Sequence, residues 1–261
     1  MIFLLVEVNS QTTYKDIAPI LIKNCTGCHN EGAAVFSLAS YDAVRQQGGS
    51  IKEAVETGYM PPWPPDATYK SFARERILSE SDKAKIISWI DQDMPAGDLT
   101  LAPKAPPYTK KQLKGKPDLI LKLPKYVSTS TVADNYVCIN VPTGITKDRF
   151  IRAFEYIPGN ASIIHHAVMT IDTTAKAVDD LSGNCYNFQG QIGIGDYAPG
   201  RGPTVLPGVA PAKFGFRLPA NSIMSFQLHV PEGTAGQEDE SELHLYFYPE
   251  NEKDIRPMYF E

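Results

Sequence analysis

The chain has 261 residues, of which 43% are hydrophobic and 21% charged, with a formal net charge of −5 at pH 7. This composition is that of a folded globular protein, and at about 100–200 residues per domain its length predicts two domains. The acidic balance and the lack of a basic cluster argue against nucleic-acid binding. No apolar run approaches the roughly 18–20 residues of a transmembrane segment.

The first segment of interest, residues 2–6, is a short apolar run without a basic flank. It is shorter than the apolar region of a secretory signal, which has about 7–15 residues. Two interpretations stay open: an incomplete or clipped signal peptide, or an ordinary irregular start of the chain.

Three helical stretches are predicted next. Apolar residues at helical spacing predict a helix over Thr13–Asn24. A second is predicted over Tyr41–Thr57, with an interruption at Gly48 and its neighbouring glycine. A third begins at Ser79, where Asp82 completes an S-x-x-D capping pattern.

The first predicted helix leads directly into the sequence CTGCH, in which Cys25 and Cys28 are followed by His29. In C-x-x-C-H, two thiols can add to the vinyl groups of haem while the histidine reaches the iron. A redox C-x-x-C pair and half of a zinc site are the alternatives. The sequence holds no second C-x-x-C that would complete a zinc site.

A sixth iron ligand is expected from Met60. This methionine lies in the segment GYMPPWPPD, where the prolines stiffen the chain and leave no helix face for the side chain to fill. Met94, which follows the third predicted helix, is the competing candidate.

The composition changes after the third predicted helix. Residues 99–116 contain several prolines and lysines without periodicity and are predicted to form a semi-rigid linker. We therefore expect a first domain over residues 13–98 and a second over residues 117–261.

Beyond this linker, side chains alternate with a period of two, which predicts an antiparallel β-sandwich. Strands are expected at Tyr136–Val141, Arg149–Tyr156, Ile163–Ile171, Ser222–Val230 and Glu242–Tyr248. The intervening residues 183–215 are rich in glycine and proline and are predicted to be a long loop with few strand residues.

Three histidines of the second half, His165, His166 and His229, are candidate ligands for copper or zinc. Neighbouring residues of a regular strand point to opposite faces, so the first two reach one ion only at a bulge, a strand end or through unusual rotamers. His244 is interpreted as a residue of the sheet surface and is left out of the site.

The two remaining cysteines, Cys138 and Cys185, are expected to pair. Attachment of haem c takes place outside the cytoplasm, where disulfides persist. Two buried free thiols are the alternative.

Residues from about 14 to 97 resemble a small class I cytochrome c domain. The similarity rests on CTGCH, on the MPPW segment and on a closing helix that ends in SWIDQDMPAG. It implies a covalently attached haem c, with Cys25 and Cys28 as thioether positions and His29 and Met60 as axial ligands.

The second half, over most of residues 116–260, resembles the first copper domain of the ascorbate-dependent copper type II monooxygenases. This group contains the peptidylglycine α-hydroxylating and dopamine β-monooxygenases. The matching segments follow the family order: DNYVCINVP, DRFIRAFEYIP, IIHHAVM, LPGVAPAKFGFRLP and MSFQLHV.

This second resemblance implies one copper ion, the electron-donating one of the family, held by His165, His166 and His229. It also implies a disulfide between Cys138 and Cys185. Together the two resemblances predict a multidomain fold, a small all-α cytochrome c domain followed by an all-β, jelly-roll-like antiparallel sandwich.

The sequence also departs from the family. It contains no H-x-H pair for the oxygen-activating copper, and Val230 stands where an aromatic residue is usual. We therefore expect half of a monooxygenase, for which no catalytic residue can be named. A small-molecule or peptide substrate is expected to bind only where a second copper domain is supplied.

The leading functional expectation is haem- and copper-dependent electron transfer in the periplasm or outside the cell, with ascorbate or a redox protein as electron donor. One alternative is a haem-containing docking module whose β-sandwich holds no metal. Another is a self-sufficient copper oxidase or peroxidase whose haem lacks the Met60 ligand.

Overall fold

The computed structural model describes residues 11–31, 33, 35–63, 65–66, 68–72, 75–107, 109–186, 190–209 and 212–259. The apolar run at residues 2–6 lies outside this part of the chain. The described chain divides into two compact units, and the main division falls after Pro107. Each unit has its own cluster of buried apolar side chains.

The first unit contains four short helices: α1 (Tyr14–Asn24), α2 (Tyr41–Gln46), α3 (Gly48–Glu56) and α4 (Glu80–Asp91). A 3-10 turn follows at Leu99–Leu101. Ile17, Leu21 and Trp89 are buried where α1 and α4 contribute to one apolar cluster. The Trp89 indole N–H donates to the Pro95 carbonyl at 3.1 Å, which satisfies its polar atom inside this core.

The second predicted helix is interrupted as expected, but the break lies at Gln47, and the two glycines at which it was predicted begin α3. A Cβ atom at Gly48 would lie 2.7 Å from the Met94 sulfur, so glycine permits this close packing. The predicted start of α4 is also confirmed. The Ser79 hydroxyl accepts a hydrogen bond from the Asp82 backbone N–H at 3.1 Å.

The second unit is built from strands. Their bounds are β1 Leu119–Lys122, β2 Tyr126–Val127, β3 Asn135–Pro142, β4 Arg149–Ile157, β5 His166–Asp172, β6 Ile192–Tyr197, β7 Thr204–Val205, β8 Gly208–Val209, β9 Ala212–Leu218, β10 Ile223–Val230, β11 Glu238–Asp239, β12 Glu242–Phe247 and β13 Ile255–Pro257.

These strands form several sheets. A seven-stranded sheet has the order β1-β12-β4-β9-β13, with β7 beside β4 and β8 beside β9. A four-stranded sheet has the order β3-β10-β5-β6, and β11 pairs with β2. Side chains from the two larger sheets, such as Phe154 of β4 and Phe226 of β10, share one apolar core. Alternate residues of β10 therefore point away from this core and are available for a site.

The expected fold class is wrong. The described residues are 17% helical and 29% strand, and the structure is mostly β-sheet with four short helices and no distinct all-α cytochrome c domain. The helices are short because glycines and prolines interrupt the sequence between them. The strands do not form the expected all-antiparallel sandwich, since several sheets are present and β13 runs parallel to β9.

The prediction of few strand residues in residues 183–215 is also wrong, because β6 and the start of β9 lie there. The glycines of β6 do not break the strand. Gly195 has a positive φ of 135°, and a Cβ atom at this position would lie 3.0 Å from the Phe154 ring. Glycine therefore admits a core phenyl ring against an irregular strand. Among the described helices, none has the length and apolar character needed to span a membrane.

Candidate metal centre

The register of the four-stranded sheet brings three aligned side chains to its outer face. His229 of the central strand β10 lies opposite His166 of β5 on one side and opposite Tyr136 of β3 on the other. His165 precedes β5, and its backbone N–H donates to the His229 carbonyl at 3.0 Å. The strand end therefore lets both members of the histidine pair reach one side of the sheet.

The three imidazole rings converge through the same nitrogen. The Nδ1 atom of His229 lies 3.1 Å from that of His165 and 3.2 Å from that of His166, and the other two Nδ1 atoms are 3.4 Å apart. In the described part of the chain, these are the only three His, Cys, Asp or Glu residues whose ligand atoms lie within 4.8 Å of one another.

This triangle has the size that a small transition-metal ion requires. The point in its plane equidistant from the three Nδ1 atoms is about 1.9 Å from each, whereas metal–imidazole bonds are about 2.0–2.1 Å long. The group can therefore hold a metal ion with three histidine ligands.

The triad is graded in exposure, since His165 is exposed, His166 is half-buried and His229 is buried. Burial, with a contribution from His229, holds the pKa of both His165 and His166 below its ordinary value. Neutral imidazole is the form that binds a metal. The surroundings therefore favour the metal-binding form of these rings at neutral pH.

A carboxylate is hydrogen-bonded to His229 at the ring nitrogen that does not face the other two histidines. Asp134 Oδ2 accepts a hydrogen bond from His229 Nε2 at 2.7 Å, and its Oδ1 accepts one from the Glu232 backbone N–H at 2.9 Å. The hydrogen bond from His229 lowers the pKa of the Asp134 carboxyl. The sequence segment DNYVC was noted only as a resemblance, and the role of its aspartate was missed because only the fold brings Asp134 to His229.

An aromatic side chain covers the same ring. Tyr136 stacks on His229 with ring centroids 4.6 Å apart and an angle of 5° between the planes. Tyr186, whose side chain is mostly exposed, packs on the outer side of Tyr136 at 5.2 Å. Stacking restrains the rotation of the His229 ring and so reduces the ordering that metal binding requires.

The disulfide that the resemblance implies is present between Cys138 and Cys185. It joins β3 to the segment that carries Tyr186, and backbone hydrogen bonds from Tyr136 and Cys138 run along the same connection. The Gln227 side chain of β10 donates to the Cys185 carbonyl at 2.6 Å. The disulfide thus holds the segment that carries Tyr186 against the sheet, beside Tyr136.

His244 is not the exposed surface residue that the sequence predicted. It is buried, and its Nε2 atom lies 2.8 Å from the Glu242 carboxylate. It lies opposite Glu155 in the seven-stranded sheet, whereas the three converging histidines belong to the other large sheet. His244 therefore lies apart from the three converging histidines.

The CTGCH segment lies at the end of α1. Cys25 and Cys28 are free, partly exposed thiols, and burial raises the pKa of Cys25 to about 11, with a smaller contribution from Cys28. His29 Nδ1 lies 3.0 Å from the Phe36 carbonyl. Donation of the Nδ1 proton to this carbonyl leaves the Nε2 lone pair of His29 available to a metal.

The two candidate methionines differ in their surroundings. Met60 follows α3, is half-buried, and its backbone N–H donates to the Ala54 carbonyl at 2.9 Å. Met94 packs against the apolar cluster of the first unit beside Gly48. The Trp63 indole nitrogen, close to Met60 in sequence, is buried and has no hydrogen-bond acceptor among the described residues.

Comparison with known proteins adds no family assignment, because neither a known protein family nor a curated protein sequence matches this chain.

Proposed function

We propose that this chain is an electron-transfer protein that holds one copper ion on His165, His166 and His229 and one haem c on the CTGCH segment. The observation that carries the proposal is the convergence of three histidine Nδ1 atoms at 3.1–3.4 Å. Nδ1 lone pairs at this separation repel each other unless a proton or a cation lies between them, and a bound cation removes the repulsion among all three.

We propose copper rather than zinc as the metal of this site. A donor set of imidazoles without carboxylate or thiolate suits copper, which stands above zinc in intrinsic affinity for such ligands. The exposed His165 leaves the site accessible from solvent. When bound, copper supplies one-electron redox chemistry, which zinc does not have.

The donor atoms of the first unit fit a haem c. Two free thiols and the available Nε2 atom of His29 are the groups that attachment and iron ligation require. Met60 is proposed as the second axial ligand. The Trp63 indole N–H has no acceptor among the described residues and is a donor available to a polar group such as a haem carboxylate.

The wider role that we propose is that of an electron-delivering part of a copper type II monooxygenase. When bound, the haem and the copper would supply one-electron redox chemistry, with ascorbate or a redox protein as the electron donor. Oxygen activation and the binding of a small-molecule or peptide substrate are assigned to a second copper site outside these residues. Both haem c attachment and the disulfide favour an exported, periplasmic or extracellular protein.

The test is elemental analysis of iron and copper per chain, on full-length protein produced in a haem-attaching periplasm and given limiting copper. The variants are His166→Ala and His229→Ala, and His244→Gln serves as the matched control because this histidine lies outside the triad. We expect one iron and one copper per chain, with copper lost in both triad variants and retained in the control.

One iron with no copper would leave the metal-free docking module as the better explanation. Copper bound equally in the triad variants would show that another site holds it. A haem that binds added carbon monoxide as readily in the wild type as in Met60→Ala would contradict ligation by Met60.

A further inference from the structure

The Asp134 carboxylate is held at both of its oxygen atoms. One accepts the hydrogen bond from His229 Nε2 at 2.7 Å, and the other accepts the Glu232 backbone N–H at 2.9 Å. The backbone contact comes from the turn that follows β10, whereas Asp134 itself immediately precedes β3. The carboxylate is therefore fixed by two different segments and does not simply follow the histidine ring.

This contact determines which nitrogen of His229 carries the proton. An ionised carboxylate only accepts hydrogen bonds, so Nε2 must be the donor. Nδ1 then presents its lone pair to the Nδ1 atoms of His165 and His166. In the opposite tautomer, an N–H group would point into the triangle and block a cation.

The three histidine rings differ in the hydrogen bonds and ring contacts that hold them. The ring hydrogen-bond contacts of His165 and His166 in the described chain involve their Nδ1 atoms, at 3.1–3.4 Å from other members of the triad. His229 alone has a carboxylate hydrogen-bonded at Nε2, and it is also the buried ligand stacked by Tyr136. The buried and stacked ligand of the site is thus also the one that Asp134 contacts.

We propose that Asp134 is a positioning residue, which fixes the tautomer and orientation of His229 and thereby sets the copper affinity and reduction potential of the triad. This inference rests on the proposed function. A hydrogen bond to a carboxylate makes the opposite ring nitrogen a stronger donor, and the negative charge favours Cu(II) over Cu(I). Loss of the carboxylate should weaken Cu(II) binding and raise the potential.

The first measurement uses the metal-free wild-type protein, so it does not depend on copper binding or on a variant that folds. Nitrogen-15 NMR of the imidazoles distinguishes the two neutral tautomers. We expect His229 to be protonated at Nε2. A His229 ring protonated mainly at Nδ1 would overturn the proposal.

The second measurement compares Asp134→Asn with Glu232→Gln in the full chain. Both variants remove one negative charge from the same region, but only the first alters the contact to His229, because Glu232 meets Asp134 through its backbone. We expect Asp134→Asn to weaken Cu(II) affinity by about 10- to 100-fold, raise the midpoint potential and change the Cu(II) EPR spectrum. Asp134→Glu should recover part of the affinity.

Equal effects of Asp134→Asn and Glu232→Gln on affinity and potential would overturn the proposal, since charge alone would then explain them. Absence of copper binding in the wild type would instead contradict the proposed function. In that case the NMR measurement still decides whether Asp134 fixes the His229 tautomer.

Discussion

At the scale of single residues, the His229 ring is restrained by the stacked Tyr136 side chain as well as by its hydrogen bond. An aromatic pair of this kind contributes about 0.5–1.5 kcal/mol. Tyr136→Ala should therefore weaken Cu(II) binding by about 2- to 10-fold, measured by competition with a chelator. Tyr136→Phe keeps the stacked ring and is the control, and an equal loss in both variants would contradict the stacking argument.

The Asp172 carboxylate stabilises a turn by accepting backbone hydrogen bonds. It is buried at the end of β5, and its carboxylate accepts hydrogen bonds from the Thr174 hydroxyl and from the backbone N–H groups of Thr174, Lys176 and Ala177. Burial alone would raise the pKa of Asp172, but these hydrogen bonds outweigh it and hold the pKa far below the usual range.

Asp172→Asn should lower the free energy of unfolding of the second unit by about 2–4 kcal/mol at pH 7, measured by urea denaturation. Because the folded-state pKa is depressed, the wild-type contribution is complete above the unfolded value of about 4 and declines as the pH falls below it. The difference between wild type and variant should therefore shrink in acid. Asp180→Asn should have a smaller effect, because the carboxylate of this half-buried residue accepts a backbone hydrogen bond from Ser182 instead of from three residues.

At the scale of elements, the Cys138–Cys185 disulfide fastens a surface segment to β3 across 47 residues of sequence. Cross-linking such a loop restricts the unfolded chain and stabilises the fold by about 2–4 kcal/mol. The Cys138→Ser, Cys185→Ser double variant should lose this stability in urea denaturation. Wild-type protein treated with a thiol reductant should approach the variant, and an unchanged midpoint in both would contradict the expectation.

The N-terminus of α4 offers a test within the first unit. The Ser79 hydroxyl accepts the Asp82 backbone N–H, which otherwise lacks a partner inside the helix. Ser79→Ala should cost about 1 kcal/mol of stability, visible as a lower melting temperature of the helical circular-dichroism signal. Ser50→Ala, at an exposed position inside α3, is the control and should change this temperature less.

The sequence predicted individual elements better than it predicted their arrangement. Helices α1 and α4 and strands β3, β4, β10 and β12 were predicted with bounds close to those observed, because each carries a regular apolar pattern. Strand β6 was missed because glycine at position 195 serves a close contact with Phe154, which comes from β4. The fold class failed for the same reason, since local patterns do not determine how helices and sheets assemble.

The residues of the candidate site were also predicted only in part from the sequence. The three histidines were identified from residue type and resemblance, whereas spacing argued against His165 and His166 acting together. The start of β5 at His166 removes that objection. Asp134 was missed because it is 95 residues from His229 in sequence, and no local pattern links the two.

At the scale of the whole molecule, each unit has its own apolar cluster, and the histidine triad belongs to the second unit. A ligand that binds only the native state stabilises it by about 2.7 kcal/mol at 100 times its Kd. Copper should therefore raise the melting temperature of the β-sheet unit and leave that of the helical unit unchanged. Calorimetry with and without a chelator measures both, and equal shifts would contradict this expectation.

The separation of the ligands along the chain makes the site a marker of folding. His165 and His166 are neighbours, but His229 lies 63 residues beyond His166 and joins them only through the pairing of β10 with β5. Of the three triad ligands, an unfolded chain brings together at most the adjacent His165 and His166. The visible absorption of Cu(II) bound to three imidazoles would therefore develop only after these two strands have closed, and its rate of appearance during refolding would time that single event.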